Sequence, residues 1–230
     1  MKEKTFSQGV RAAIPTALGY ISIGLACGII AAPYLNPVEM GLMSFLVYAG
    51  SAQFVMLSLI AVQASIADIA LTVFFINLRF FLLSLHTSTF FRSSSLWQNL
   101  AIGSLLTDES YGVLLTEQIK DDTVSASWMQ GNNLMSYLSW TLATILGAAL
   151  GSFLPNPEPL GLDFALLGMF IGIFAAQFLV MLHKVKLQKL LLILLVVGLA
   201  FLALTSLLSQ SLAVLLATLI GCTVGVVLDD

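Results

Sequence analysis

Tyr48-Ala49-Gly50-Ser51-Ala52-Gln53-Phe54 lies inside a long apolar run, Gly41 to Val62. The run has the length and composition of a membrane-spanning helix, which needs about 20 mostly apolar residues. Within it, Gly50, Ser51 and Gln53 are near neighbours. The Gln53 carboxamide carries two donors and an acceptor, and in hydrocarbon such a group costs free energy until it finds partners. A second apolar stretch, Ile173 to Val180, repeats the core of the first as Ala176-Gln177-Phe178. Two polar interruptions in two similar apolar settings point to a duplicated architecture with a site between its halves.

The whole chain is as apolar as this stretch. Of its 230 residues 59% are hydrophobic and 9% charged, against about 25% charged in soluble domains, and mean hydropathy is +1.00. A soluble fold of this size could not hide so much apolar surface, so the composition gives an all-α polytopic bundle. The net charge of -3 sits in short loops, and no basic block suggests nucleic acid. Cys27 and Cys222 lie inside apolar runs and read as packing residues.

Eight spans are expected, with seven as the alternative: Ile14–Ala32, Gly41–Val62, Ile66–Leu85, Asn99–Leu115, Trp128–Leu154, Leu162–Leu182, Leu190–Leu208 and Ser211–Leu228. The first is longer than a signal-peptide core and reads as a retained span. Pro33 and Pro37 stop it, and Pro155, Pro157 and Pro159 stop the fifth. The fourth is the least regular, since Thr107, Asp108, Glu109 and Ser110 fall near its middle. Lys2, Lys4 and Arg11 place the N-terminus in the cytoplasm, and Lys184, Lys186 and Lys189 place the loop after the sixth span there too. The two agree when the fourth stretch crosses, so eight is preferred.

The order small-xxx-small, proline, glutamine occurs twice. Gly24 and Gly28, Pro33, then Gln53 are followed by Gly147 and Gly151, Pro155, then Gln177. Within one integral membrane domain, 1–230, this sets a first half at 14–115 and a second at 128–228. The halves run parallel if the fourth stretch crosses and inverted if it does not. Secondary transporters use both, with the binding site at the repeat interface.

Helix packing explains the glycine pairs, including Gly168 and Gly172, by close approach of backbones. Gly50 weakens its helix and Ser51 can bond back to the preceding turn, so Gly50, Ser51 and Gln53 can offer neutral polar groups to a zwitterionic substrate. An interhelical hydrogen bond by Gln53 is the competing reading. Asn77 and Arg79 sit near the middle of the third span. A central arginine costs about 2.5–3.5 kcal/mol on insertion scales, so Arg79 should find an acceptor, and Asp108 or Glu109 is the natural one. Such a cluster serves either as a structural ion pair or as a gate or proton-coupling site. Asn132, Asn133 and Ser136 polarise the start of the fifth span, as a cap or a vestibule lining. His86 and His183 sit at span ends without metal spacing. With no zinc motif, phosphate loop or Ser–His pair, no cofactor, no metal and no enzymatic activity are expected.

Gly19-Tyr20-Ile21 with Gly24 and Gly28, Tyr48 to Phe54, Ile76-Asn77-Leu78-Arg79 and Leu106-Thr107-Asp108-Glu109 together resemble the AzlC family of permeases, from roughly the first span to the sixth. The resemblance implies the large subunit of a branched-chain amino acid exporter in the cytoplasmic (inner) membrane. Its implied substrates are leucine, isoleucine, valine and sometimes methionine, its implied driving force the proton gradient, and its implied partner a small hydrophobic AzlD-type subunit. Where the family often has histidine after the arginine, this chain has Phe80. On this reading Gly50, Ser51, Gln53 and Asn77 are candidates for substrate binding, Arg79, Asp108 and Glu109 for gating or coupling, and Gln177 for a structural counterpart of Gln53. A non-transporting scaffold subunit and a channel are the alternatives.

Overall fold

The computed structural model describes residues 4–120, 124–153, 164–182, 185–208 and 210–228. These are helical throughout apart from turns. In order they are α1 (Phe6–Ala12), α2 (Ile14–Ala31), α3 (Pro37–Leu46), α4 (Gly50–Ala61), α5 (Ile66–Ser88), α6 (Leu96–Ser104), α7 (Asp108–Lys120), α8 (Ala126–Gly151), α9 (Phe164–Leu182), α10 (Leu187–Thr205) and α11 (Gln210–Val227). Four of the described helices, α2, α5, α8 and α10, are long and apolar enough to cross a membrane. The chain divides into two compact units, Met1–Ile173 and Phe174–Asp230. Pro155, Pro157, Pro159, His183 and Lys184, and the side chain of Gln177, lie outside the described residues.

Two of the expected spans are not continuous helices. The run Gly41 to Val62 is split into α3 and α4, and the run Asn99 to Leu115 into α6 and α7. At the first break the backbone leaves the helical region at Val47 (φ -118°, ψ 74°) and is extended at Ala49 (φ -155°, ψ 98°). Gly50 restarts the helix where a side chain would not fit. An added Cβ there would lie 2.8 Å from the Trp140 ring. At the second break Leu105, Leu106 and Thr107 separate the two helices. Local signals set the outer ends. Asn36 caps α3 by accepting from the Val38 and Glu39 amides at 2.9 and 3.0 Å, and Glu39 answers by accepting from the Asn36 amide at 2.8 Å, a reciprocal box. α4 ends with Gln63 in the left-handed region (φ 54°), with the Ala64 amide on the Leu59 carbonyl and the Gln63 amide on that of Ile60, a closing pattern that satisfies end carbonyls.

In the first unit α8 is the spine. It packs along α2 through four glycines. A Cβ on Gly28 would stand 2.1 Å from the Thr144 carbonyl oxygen, and one on Gly147 2.3 Å from that of Leu25. Gly24 and Gly151 meet the partner helix at 2.9 and 2.7 Å in the same way. Backbone therefore lies against backbone, the arrangement that favours small residues where lipid offers no hydrophobic drive. Gly168 and Gly172 differ, having no neighbour within 4 Å among the described residues.

The distribution of polarity is inverted relative to a soluble protein. Ser44, Ser51, Gln53, Ser110, Asn132, Asn133, Ser136 and Thr144 are buried, while Leu18, Leu42, Phe45, Leu46, Phe74, Phe81 and Leu82 are exposed. Lipid is the solvent that fits this surface. In the second unit α10 and α11 form a hairpin, with Gly221 set against Val197.

Candidate functional site

The two breaks meet at one polar centre in the first unit. A small cavity there is lined by Tyr20, Tyr48, Gly50, Ser51, Arg79, Phe80, Thr107, Asp108, Glu109 and Trp140. Its open volume is ≈ 10 Å³, roughly what the centre of one water molecule needs. The centre is therefore closed around its own side chains.

Arg79, just past the middle of α5, reaches both breaks. Its Nη2 donates to the Ser51 hydroxyl at 2.5 Å in the first turn of α4 and lies 3.1 Å from Asp108 Oδ2 in the first turn of α7. The guanidinium also lies over the Phe80 ring, 4.9 Å from its centroid, a cation–π contact worth about 0.5–2 kcal/mol. Phe80 thus covers the charge.

Glu109 takes a different partner. The Tyr20 hydroxyl lies 2.6 Å from Glu109 Oε2 and 2.8 Å from Thr107 Oγ1. One hydroxyl has one proton, so with Glu109 ionised Tyr20 donates to the carboxylate and accepts from Thr107. Thr107 Oγ1 in turn accepts from the Ser110 amide at 3.2 Å, and Ser110 Oγ accepts from the Thr107 amide at 3.0 Å. The second break is thereby capped from within.

The first break is held from behind. Gln53 is fully buried and does not line the cavity. Its Nε2 donates to the Val47 carbonyl at 2.7 Å, and its Oε1 accepts from Trp140 Nε1 at 3.0 Å and from the Ser44 hydroxyl at 3.3 Å. The amide that the sequence offers as a substrate contact is occupied in ending α3 and fixing α8 to the break. Ser51 and Gln53, two residues apart, point to different sides of the helix. Asn77 is likewise outside the cavity lining; its Oδ1 is buried with no hydrogen-bond partner. Asn132 and Asn133 brace the second break, donating to the Ser110 carbonyl at 2.9 Å and to that of Ile102 at 2.9 Å.

Of the site residues expected from sequence, Gly50, Ser51, Arg79, Asp108 and Glu109 come together, and Gln53 and Asn77 stand aside. Tyr48, Phe80, Thr107 and Trp140 join the lining without having been candidates, as does Tyr20. An aromatic in an apolar helix reads as core, and only its proximity to the breaks sets these apart.

A helical membrane protein with an ion-paired centre between two broken helices defines the class. The chain belongs to the AzlC family, whose model, described as AzlC protein, matches residues 15–154. The match covers α2 to α8 and so the whole polar centre. It is 31% identical over 185 residues to "Inner membrane protein YgaZ" of Escherichia coli (strain K12), covering 76% of this chain and 74% of that protein. It is 26% identical over 176 residues to an "Uncharacterized membrane protein" of Helicobacter pylori (strain J99 / ATCC 700824), covering 76% of each. It is 25% identical over 169 residues to "Branched-chain amino acid transport protein AzlC" of Bacillus subtilis (strain 168), covering 71% of this chain and 64% of that protein. No solved structure matches.

Proposed function

We propose that this chain is the large subunit of a secondary transporter that exports branched-chain amino acids, driven by the proton gradient. One observation carries the reading: Arg79, Asp108 and Glu109 gather where the first turns of α4 and α7 meet. Broken helices whose N-terminal ends face a shared polar centre are a transporter arrangement, because they present unsatisfied backbone groups to a ligand inside the membrane. The name of the Bacillus subtilis relative supplies the substrate class. Leucine, isoleucine and valine, with methionine as a further substrate, would lay their apolar side chains against Phe80, Trp140 and the Tyr48 ring.

Proton coupling fits Glu109. When Glu109 takes a proton, its hydroxyl can donate to Tyr20, which then donates to Thr107, so the whole chain of hydrogen bonds reverses. Arg79 and Asp108 act as the gate that holds the two breaks together. The N-terminus lies in the cytoplasm, the chain in the cytoplasmic membrane, and a small hydrophobic AzlD-type subunit completes the complex. The 14–115 and 128–228 halves give the inverted or parallel repeat that would let the centre face either side in turn.

Counterflow of labelled leucine in proteoliposomes, with and without the small subunit, tests the substrate class. Asp108→Asn combined with Glu109→Gln should reduce gradient-driven export by about 100-fold or more, as loss of essential acid–base groups does. Full retained export would sink the coupling role. The smallness of the cavity also suits a non-transporting scaffold subunit. That reading predicts normal assembly with the small subunit and no counterflow.

A further inference from the structure

The closed centre is already paired within itself. Arg79 supplies a cation to Asp108, and it does so across the gap between α4 and α7. With ≈ 10 Å³ open, the centre as it stands has no room for an amino acid. The two helix starts it bridges are chemically opposite. α4 begins at Gly50 after Ala49, which has no side-chain acceptor, so its first-turn amides are uncapped, and helix starts of this kind attract anions. The Tyr48 hydroxyl is buried in the wall of the same cavity, near the Tyr20 and Thr107 hydroxyls, and makes no hydrogen bond of normal geometry. α7 begins with Asp108 and Glu109 and is capped by Thr107, so it offers anions and repels them.

We propose that an α-amino acid zwitterion inserts into the Arg79–Asp108 ion pair. Its carboxylate is held by Arg79, the first-turn amides of α4 and the Tyr48 hydroxyl, and its ammonium by Asp108. This rests on the transport reading above. Insertion keeps the count of charges balanced, since each pole of the ligand replaces the partner that the pair gives up. A ligand with one charge does not. An amine leaves Arg79 without its carboxylate, and an acid leaves Asp108 without its cation. In a water-poor centre an unpaired charge is costly. With Glu109 protonated, the empty and the loaded centre are thus both neutralised, whereas a half-filled one is not. The selection is for the pair of charges on one α-carbon, and the apolar side chain is read separately.

The test is competition against labelled L-leucine on the full chain in lipid nanodiscs, with the small subunit present. The competitors are 3-methylbutylamine, which lacks the carboxylate, and 4-methylpentanoate, which lacks the ammonium. Wild-type protein should prefer leucine to either by about 100-fold or more, as sites built to pair a group reject ligands lacking it. Asp108→Asn should raise the standing of 4-methylpentanoate relative to leucine by about tenfold, a change of about 1.4 kcal/mol. Arg79→Gln should do the same for the amine and not for the acid. Saturable leucine binding with either analogue competing as well as leucine in the wild type overturns the insertion, and that arm needs no variant to fold. A fall in leucine binding in Asp108→Asn with no shift between the analogues also overturns it. Absence of any saturable leucine binding by the wild type overturns the substrate reading and this inference with it.

Discussion

The α3–α4 break and the α6–α7 break solve one problem in two ways. Each interrupts an apolar run and frees backbone groups that lipid cannot satisfy. At the second break the chain repairs itself locally, with Thr107 and Ser110 exchanging backbone bonds across one turn and with Asn132 and Asn133 of α8 taking carbonyls on either side. At the first, the repair is confined to the end of α3. Gln53 closes the Val47 carbonyl, and the start of α4 is left without a cap. The asymmetry separates a capped break from one left open. The end that is left open is the end next to Arg79 and the Tyr48 hydroxyl.

Replacing Gln53 by leucine strikes the first break hardest. It strips the Val47 carbonyl and the Trp140 indole of their partner, at about 1–3 kcal/mol for each buried group left unsatisfied. Thermal unfolding in detergent should register about 2–4 kcal/mol of lost stability, and unchanged unfolding would show that the break is held by something else. Making the first break like the second is subtler. Ala49→Ser supplies a cap to α4, which should stabilise the helix by about 0.5–1 kcal/mol while occupying the amides that the proposed insertion assigns to the substrate carboxylate. Leucine affinity should then fall by about tenfold. A variant that gains stability and keeps its affinity would separate the open helix start from binding.

The converse change, Thr107→Val, removes the internal cap of α7 and the Tyr20 contact. It should cost about 1 kcal/mol in stability and leave leucine binding within about threefold, with the larger effect on the proton dependence of export. The smallest effect is expected at Asn77→Leu. Its Oδ1 already lacks a partner and it lies outside the cavity lining, so counterflow should stay within about twofold, and stability should be unchanged or slightly raised. A large loss there would mean that the centre extends further along α5.

The apolar class and the location of the centre were readable in the chain itself, because a glycine, serine and glutamine in an apolar run, and an arginine with two carboxylates at matching depth, have few places to go. The geometry places Arg79 3.1 Å from Asp108, the pairing that the cost of a lone intramembrane arginine demands. The broken helices were less legible. Gly50 and Thr107 mark the restarts, but nothing local says that Val47 to Ala49 leaves the helix altogether. That depends on Trp140, distant in sequence, whose ring fills the space a side chain at residue 50 would need. The role of Gln53 was illegible for a related reason. A carboxamide in hydrocarbon must be satisfied, yet whether by ligand or by protein depends on which side of α4 faces the cavity, and Ser51 takes that side.

The glycine seam between α2 and α8 also sets a timetable. Gly28 meets Gly147 and the Thr144 carbonyl, so α2 cannot find its neighbour until α8 has been made. At ~5–20 residues per second, synthesis of the intervening chain takes on the order of ten seconds. Until α8 is made, the Ile102 and Ser110 carbonyls lack the Asn133 and Asn132 side chains that close them, and the Gln53 carboxamide lacks the Trp140 indole. The nascent protein therefore passes through a stage in which its most polar segments are its least protected, and a chain released before α8 emerges presents itself as a substrate for membrane quality control.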